Sequence, residues 1–277
     1  MSLNVELPPA ARYLVPGVLG GIACFAFSRV MIEPSIGAAV DYEGAREHAE
    51  AHLSGGDHGH GHGHELFSRS VQENIGAAVG VIAFAVTMGV LFAVAYTVIR
   101  TVLERRGAAF DPTGLALLLA AGMFAAITLV PSLKYPPSPP TVGLEDTIGA
   151  RSSAFLTITV ISVLSAGIAV AAALAWSRRW GAWRSTALAA GGYVVVVVIA
   201  FALLPGFHEV PGPLTGPDGV LVDGFPAEVL AEFRIYSLLN QALLWLTIGA
   251  TWACLSAVSP SMRRGARSSE LSMSNAV

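Results

Sequence analysis

The chain has 277 residues, of which 54% are hydrophobic and only 13% charged, with a formal net charge of -3. Average soluble domains are about a quarter charged, so this composition excludes a single water-soluble core, and its apolar excess excludes disorder. Sixteen basic residues against nineteen acidic ones argue against nucleic-acid binding as well, which leaves a polytopic membrane protein.

An α-helix needs about 20 apolar residues to cross roughly 30 Å of hydrocarbon. The first such stretch is Tyr13 to Ile32. It is too long for a signal-peptide core, and no A-x-A cleavage site follows, so it reads as an uncleaved span. Arg29 and Glu33 stand four apart at its end, where charge is costly unless paired, and Pro34 is expected to stop the helix.

A loop over 33–74 follows. Its segment Gly44 to Leu53 predicts a short helix with His48 and His52 on one face, a geometry able to chelate. Position 49 is Ala, so this is not the H-E-x-x-H motif of zinc proteases. Next comes His58-Gly-His60-Gly-His62-Gly-His64-Glu65, preceded by Asp57. Neutral imidazoles ligate Co²⁺, Ni²⁺, Cu²⁺ and Zn²⁺, and alternating glycines let neighbouring rings converge on one ion. Such a tract predicts metal gathering without choosing the metal. Arg69, Gln72 and Glu73 then open the second span, Ile75 to Ile99.

The third span, Gly114 to Leu133, leads into Lys134-Tyr-Pro-Pro-Ser-Pro-Pro140, a proline-stiffened loop. The fourth and fifth spans are Ala154 to Trp176 and Ser185 to Leu204. The five consecutive valines after Tyr193 would suit a strand in water, but in lipid only a helix satisfies its own backbone. A loop rich in Pro and Gly runs from Pro205 to Arg234 and holds His208, Glu209 and Asp218. Glu228 and Glu232 read as a helical lead-in to the sixth span, Ile235 to Val258. A polar tail over 261–277 follows the membrane domain, which is taken as 1–260.

Charge sets the expected direction. Arg12, Arg100, Arg105, Arg106, Arg178, Arg179, Arg184, Arg263, Arg264 and Arg267 share one side. Arg29, Arg46, Arg69, Lys134, Arg151 and Arg234 share the other. The positive-inside rule puts the larger group, both termini and the polar tail in the cytoplasm. All seven histidines then face outward, as do most of the carboxylates, and such a face concentrates divalent cations. Spans two, four and six are preceded by Arg69, Arg151 and Arg234. Three helical hairpins repeated in sequence would give that spacing, and so would simple snorkelling at the interface. The spans themselves hold no histidine and no mid-span Asp, Glu or Lys, and the chain has no P-loop. The expected fold is therefore an all-α integral membrane protein of six transmembrane helices with both termini inside, in the cell membrane. It hydrolyses no nucleotide and is not expected to be an enzyme.

Four blocks give these features a family likeness. They are Phe27-Ser-Arg-Val-Met-Ile-Glu-Pro34; the His-rich loop leading to Ser68-Arg-Ser-Val-Gln72; Lys134-Tyr-Pro-Pro-Ser-Pro-Pro-Thr-Val-Gly143 with Asp146-Thr-Ile148; and Phe225-Pro-Ala-Glu-Val-Leu-Ala-Glu-Phe-Arg234. Together they resemble the CbtA family of probable cobalt transporter subunits, with Ser138 departing from the Asn usual at that position. The resemblance implies cobalt uptake together with CbtB, a small single-span, His-rich membrane subunit.

The expected function is thus a membrane subunit of a transition-metal uptake system, with cobalt as cargo and nickel or zinc as alternatives. Its expected metal-contacting residues are His48, His52, His58, His60, His62, His64, Glu65, Glu33 and His208. Arg29, Gln72, Glu73, Lys134 and Arg234 would line or support a vestibule. No tightly bound cofactor and no nucleic acid are expected, and a homo-oligomer fits the same reading. Two other classes fit less of the sequence. One is a membrane scaffold or metal sensor. The other is a metal-dependent membrane enzyme, which would need fixed ligands and an open coordination position.

Overall fold

A computed structural model describes residues 11–54, 75–217 and 219–258. Six of its helices are long and apolar enough to cross a membrane: Tyr13–Ser54, Ala77–Arg105, Pro112–Lys134, Glu145–Trp180, Ala182–Leu203 and Ala227–Ser256. Apolar run length therefore located all six helices.

The first helical run corrects one expectation. Pro34 does not stop it: α1 (Ala11–Phe27) passes through a π-helical turn, Ser28–Ile32, straight into α2 (Glu33–Ser54). In that turn the Glu33 amide donates to the Ser28 carbonyl, five residues back. A wide turn of this kind makes room for a proline ring that would otherwise collide with the carbonyl one turn earlier. The predicted short helix over 44–53 is simply the far end of α2.

Span two is α3 (Ala77–Arg105). Span three repeats the device of span one. α4 (Pro112–Met123) passes through a π turn, Phe124–Leu129, into α5 (Val130–Lys134), with Val130 donating to the Ala125 carbonyl. Pro34 and Pro131 each stand at the second residue after their π turn. A 3-10 turn, Glu145–Thr147, leads into α6 (Ile148–Trp180). α7 (Ala182–Leu203) follows after Gly181 alone. The loop before the last helix contains an antiparallel hairpin that sequence periodicity does not reveal, β1 (Leu214–Gly216) and β2 (Gly219–Val222). α8 (Ala227–Val258) begins at the acidic lead-in and is continuous with span six.

The chain divides into two compact units. The first comprises residues 1–26, 69–122 and 242–277. It is built on glycine contacts. A Cβ on Gly17 would lie 2.6 Å from Val86 Cα, one on Gly89 2.9 Å from Gly17 Cα, and one on Gly21 2.9 Å from Ile82 Cα. Close backbone approach through small residues is the usual way membrane helices associate, because lipid supplies no hydrophobic drive between them. Around this contact Trp252 packs its ring against Tyr13, Phe92 and Tyr96 at centroid distances of 5.7, 5.9 and 5.3 Å. Such offset aromatic pairs add to burial alone.

The second unit comprises residues 27–68 and 123–241. Here α6 and α7 pack side by side, linked by a 2.9 Å hydrogen bond between Ser162 and the Tyr193 hydroxyl. A separate apolar cluster joins Ala39 of α2, Val142, Phe225 and Leu230, with Tyr42 against the Phe225 ring at 5.1 Å.

Candidate functional site

Of the polar groups singled out from sequence, Lys134 and Arg234 take part in a hydrogen-bonded loop network in the second unit. The Lys134–Gly143 segment is held from three directions. Lys134 Nζ donates to the Phe201 carbonyl at 2.9 Å, and the Tyr135 hydroxyl donates to the Pro205 carbonyl at 2.7 Å, tying the segment to the end of α7. Burial raises the Tyr135 pKa, which keeps its phenol a donor. From α8, Arg234 Nε donates to the Pro137 carbonyl at 3.3 Å. Two proline carbonyls in these loops thus accept from side chains, Pro137 from Arg234 of α8 and Pro205 from Tyr135 just after α5.

Arg151 completes the clamp. Its Nη1 and Nη2 donate to the carbonyls of Val142 and Leu144 at 3.3 and 3.2 Å, with the guanidinium lying over Gly143. The space is free because Gly143 has no side chain, and its φ of 125° favours glycine in any case. Arg151 Nε lies 3.4 Å from Glu209 Oε2, an ion pair rather than a hydrogen bond. The same carboxylate oxygen accepts 2.7 Å and 3.0 Å hydrogen bonds from the Thr147 hydroxyl and the Leu144 amide. Those two donors, with Arg151 behind them, hold the Glu209 carboxyl below its ordinary value. Glu209 thus fastens the loop after α7 to the start of α6.

A second set anchors α2 to the β-hairpin loop. Arg46 Nη1 donates to the Gly212 carbonyl at 2.9 Å, Arg46 Nε donates to Glu50 at 3.0 Å, and the Tyr42 hydroxyl donates to the Asp223 carbonyl at 3.2 Å.

The anticipated metal ligands are placed differently. His48 and His52 are exposed on α2, and His208 is exposed beside Glu209. Glu33 pairs with Arg29 at 3.5 Å across one helical turn. Among the described residues no group of three or more His, Cys, Asp or Glu side chains converges to hold a metal ion. His58, His60, His62, His64, Glu65, Gln72 and Glu73 lie outside the described residues. Sequence reasoning did not assign Arg151, Thr147 and Glu209 to the site. The signals present were Arg151 ahead of span four, Thr147 within the Asp146-Thr-Ile148 block, and Glu209 beside His208 in a Pro- and Gly-rich loop.

The geometry describes a membrane-helix assembly with a braced loop layer. Two of the four sequence blocks contribute to that brace, through the Lys134–Gly143 segment and Arg234. The family model for the probable cobalt transporter subunit CbtA matches residues 10–257. The chain belongs to the CbtA family. No curated protein and no solved structure matches it. CbtA membership and six apolar helices make it a multi-pass membrane protein of a transporter-subunit family, with cobalt as the substrate that the family description names.

Proposed function

We infer that this chain is the membrane subunit of a cobalt uptake system in the cell membrane, with both termini in the cytoplasm. The observation that carries this reading is the family match across nearly all of a chain with six spanning helices. The loop between the first two spans supplies the capture step. Its residues His58, His60, His62, His64 and Glu65 hold divalent metal loosely and exchange it quickly, as neutral imidazoles on a glycine-rich backbone do. Glu33, Glu73 and His208, with His48 and His52 on the exposed face of α2, form the next contacts for the ion. The spans carry no acidic or imidazole ligand at mid-depth, so passage is completed with a second, single-span subunit rich in histidine. The chain has no nucleotide-binding loop, so it does not itself hydrolyse nucleotide.

Radiotracer cobalt uptake in cells that carry or lack the chain tests this reading, with nickel and zinc as competitors. Cells that carry the chain are expected to accumulate cobalt faster, and excess unlabelled cobalt should compete better than equal nickel or zinc. Equal accumulation with and without the chain would contradict it and favour a scaffold or sensor. Stronger competition by nickel or zinc would reassign the cargo.

A further inference from the structure

We propose that the turn joining α6 and α7 is a binding surface for the phosphate headgroup of anionic phospholipids. Within Trp176 to Arg184 stand three tryptophans and three arginines: Trp176, Trp180, Trp183, Arg178, Arg179 and Arg184. All six are exposed, Trp183 to 83%. They sit where two membrane-spanning helices end and begin, Glu145–Trp180 and Ala182–Leu203. Indole rings prefer the depth of lipid headgroups, with the apolar face toward acyl chains and the N–H toward water. A guanidinium fork matches a phosphate oxygen pair, and juxtamembrane basic residues bind anionic leaflets.

These three clustered arginines have no carboxylate partner among the described residues. Among the described residues, Arg29, Arg46, Arg100 and Arg151 each have a carboxylate within ion-pair distance. Arg178, Arg179 and Arg184 have none, and the chain holds no Asp or Glu between Asp146 and Glu209. The one arginine contact here is Arg179 over the Trp180 ring at 6.0 Å, which aligns cation and indole together. With no described carboxylate beside them, the three guanidiniums suit an anionic headgroup, and the flanking tryptophans place that anion in the headgroup layer.

The turn is also rigid enough to present these groups as a fixed surface. Gly181 adopts φ 79° and ψ 158°, a conformation reserved for glycine. Its amide donates to the Ser177 carbonyl at 3.0 Å, and its carbonyl accepts from the Ser185 hydroxyl at 2.9 Å. Ser185 is fully buried between the helices. Trp176 and Trp180 pack ring to ring at 5.4 Å.

The test uses the full chain purified in a non-ionic detergent and given either phosphatidylglycerol or phosphatidylcholine. Lipid retention is read by native mass spectrometry and thermal stability by the melting midpoint. Phosphatidylglycerol is expected to be retained and to raise the midpoint, while phosphatidylcholine does neither. R178Q/R179Q/R184Q should weaken phosphatidylglycerol retention about a hundredfold, each arginine contributing roughly fivefold. R263Q/R264Q/R267Q removes equal charge from the tail, which has no tryptophan, and should weaken retention less than the turn variant does. If the triple variant at the turn fails to fold, R178Q and R184Q are measured singly, each expected to weaken retention several-fold. Equal retention of both lipids, equal loss from the tail variant, or unaltered retention in the turn variants overturns the proposal. Competition by inorganic phosphate as strong as by the lipid would make the turn a general anion site and would overturn it too.

Discussion

Gly89→Leu is expected to abolish recovery of folded protein, and Gly17→Leu to do the same. These two glycines meet backbone to backbone. A Cβ on Gly17 would lie 2.6 Å from Val86 Cα and 2.7 Å from the Ala85 carbonyl oxygen, and one on Gly89 2.9 Å from both Gly17 Cα and N. No side chain can rotate away to make room, so α1 and α3 must separate along the contact. Overpacking generally costs about 1–3 kcal/mol, and a backbone collision belongs at or above the top of that range. Gly80 lies on the same helix as Gly89, with nothing within 4 Å of its Cβ position. Gly80→Leu should therefore behave like the parent. The check is the melting midpoint and size-exclusion profile of each variant in detergent. Because Gly17 and Gly89 share one contact, G17A/G89A should cost less than the two single changes added together. A Gly89→Leu protein that melts like the parent would mean that the glycine contact does not organise this unit.

Deleting Asp57 to Glu65 is expected to lower cobalt accumulation roughly tenfold when external cobalt is scarce, the low end of the gain that a charged, ligand-lined mouth provides. The difference should vanish when cobalt is abundant, because gathering raises local concentration without adding a transport step. The sign of the pH dependence follows from the ligands. Imidazole binds metal only when neutral, with an ordinary pKa of about 6.5. The tract's contribution is therefore present above that pH and lost as pH falls through it, so parent and deletion should converge near pH 5. Radiotracer uptake across a cobalt series at both pH values checks this. Identical curves for the two proteins at scarce cobalt and neutral pH would remove the gathering role while leaving the family assignment intact.

The sequence was most informative where one local rule dominates. Uninterrupted apolar length is enough to place six helices, because a chain in lipid has no other way to satisfy its backbone. The same rule settles the valine run after Tyr193, which lies inside α7. It was less informative where local chemistry meets tertiary context. Pro34 signals a helix end by steric rules, yet the π turn before it absorbs the ring and the helix runs on to Ser54. Pro131 follows the same pattern at the same offset. Neither turn leaves a mark in hydropathy.

The loop layer shows the same limit. Lys134 and Arg234 were singled out as polar residues at a membrane edge, and each reaches a specific carbonyl, on Phe201 and Pro137. Those partners are distant in sequence, so composition alone does not name them. His208 drew attention for its imidazole, but its neighbour Glu209 makes the bonds, because Thr147, Leu144 and Arg151 arrive only once the loops have folded together. The β-hairpin over 214–222 was invisible for a related reason. Its strands are short and rich in Gly and Pro surroundings, without the alternation that marks a longer strand.

Capture of incoming cobalt requires the histidine tract to face the side from which metal arrives. Thiol labelling of intact cells tests that most directly, using a background in which Cys24 and Cys254 are replaced by serine. Gly61→Cys within the tract should react with a membrane-impermeant maleimide in intact cells. Gly107→Cys, in the turn after α3, should react only after the membrane is opened. The reverse pattern would place the tract in the cytosol and contradict the capture of incoming cobalt by this loop.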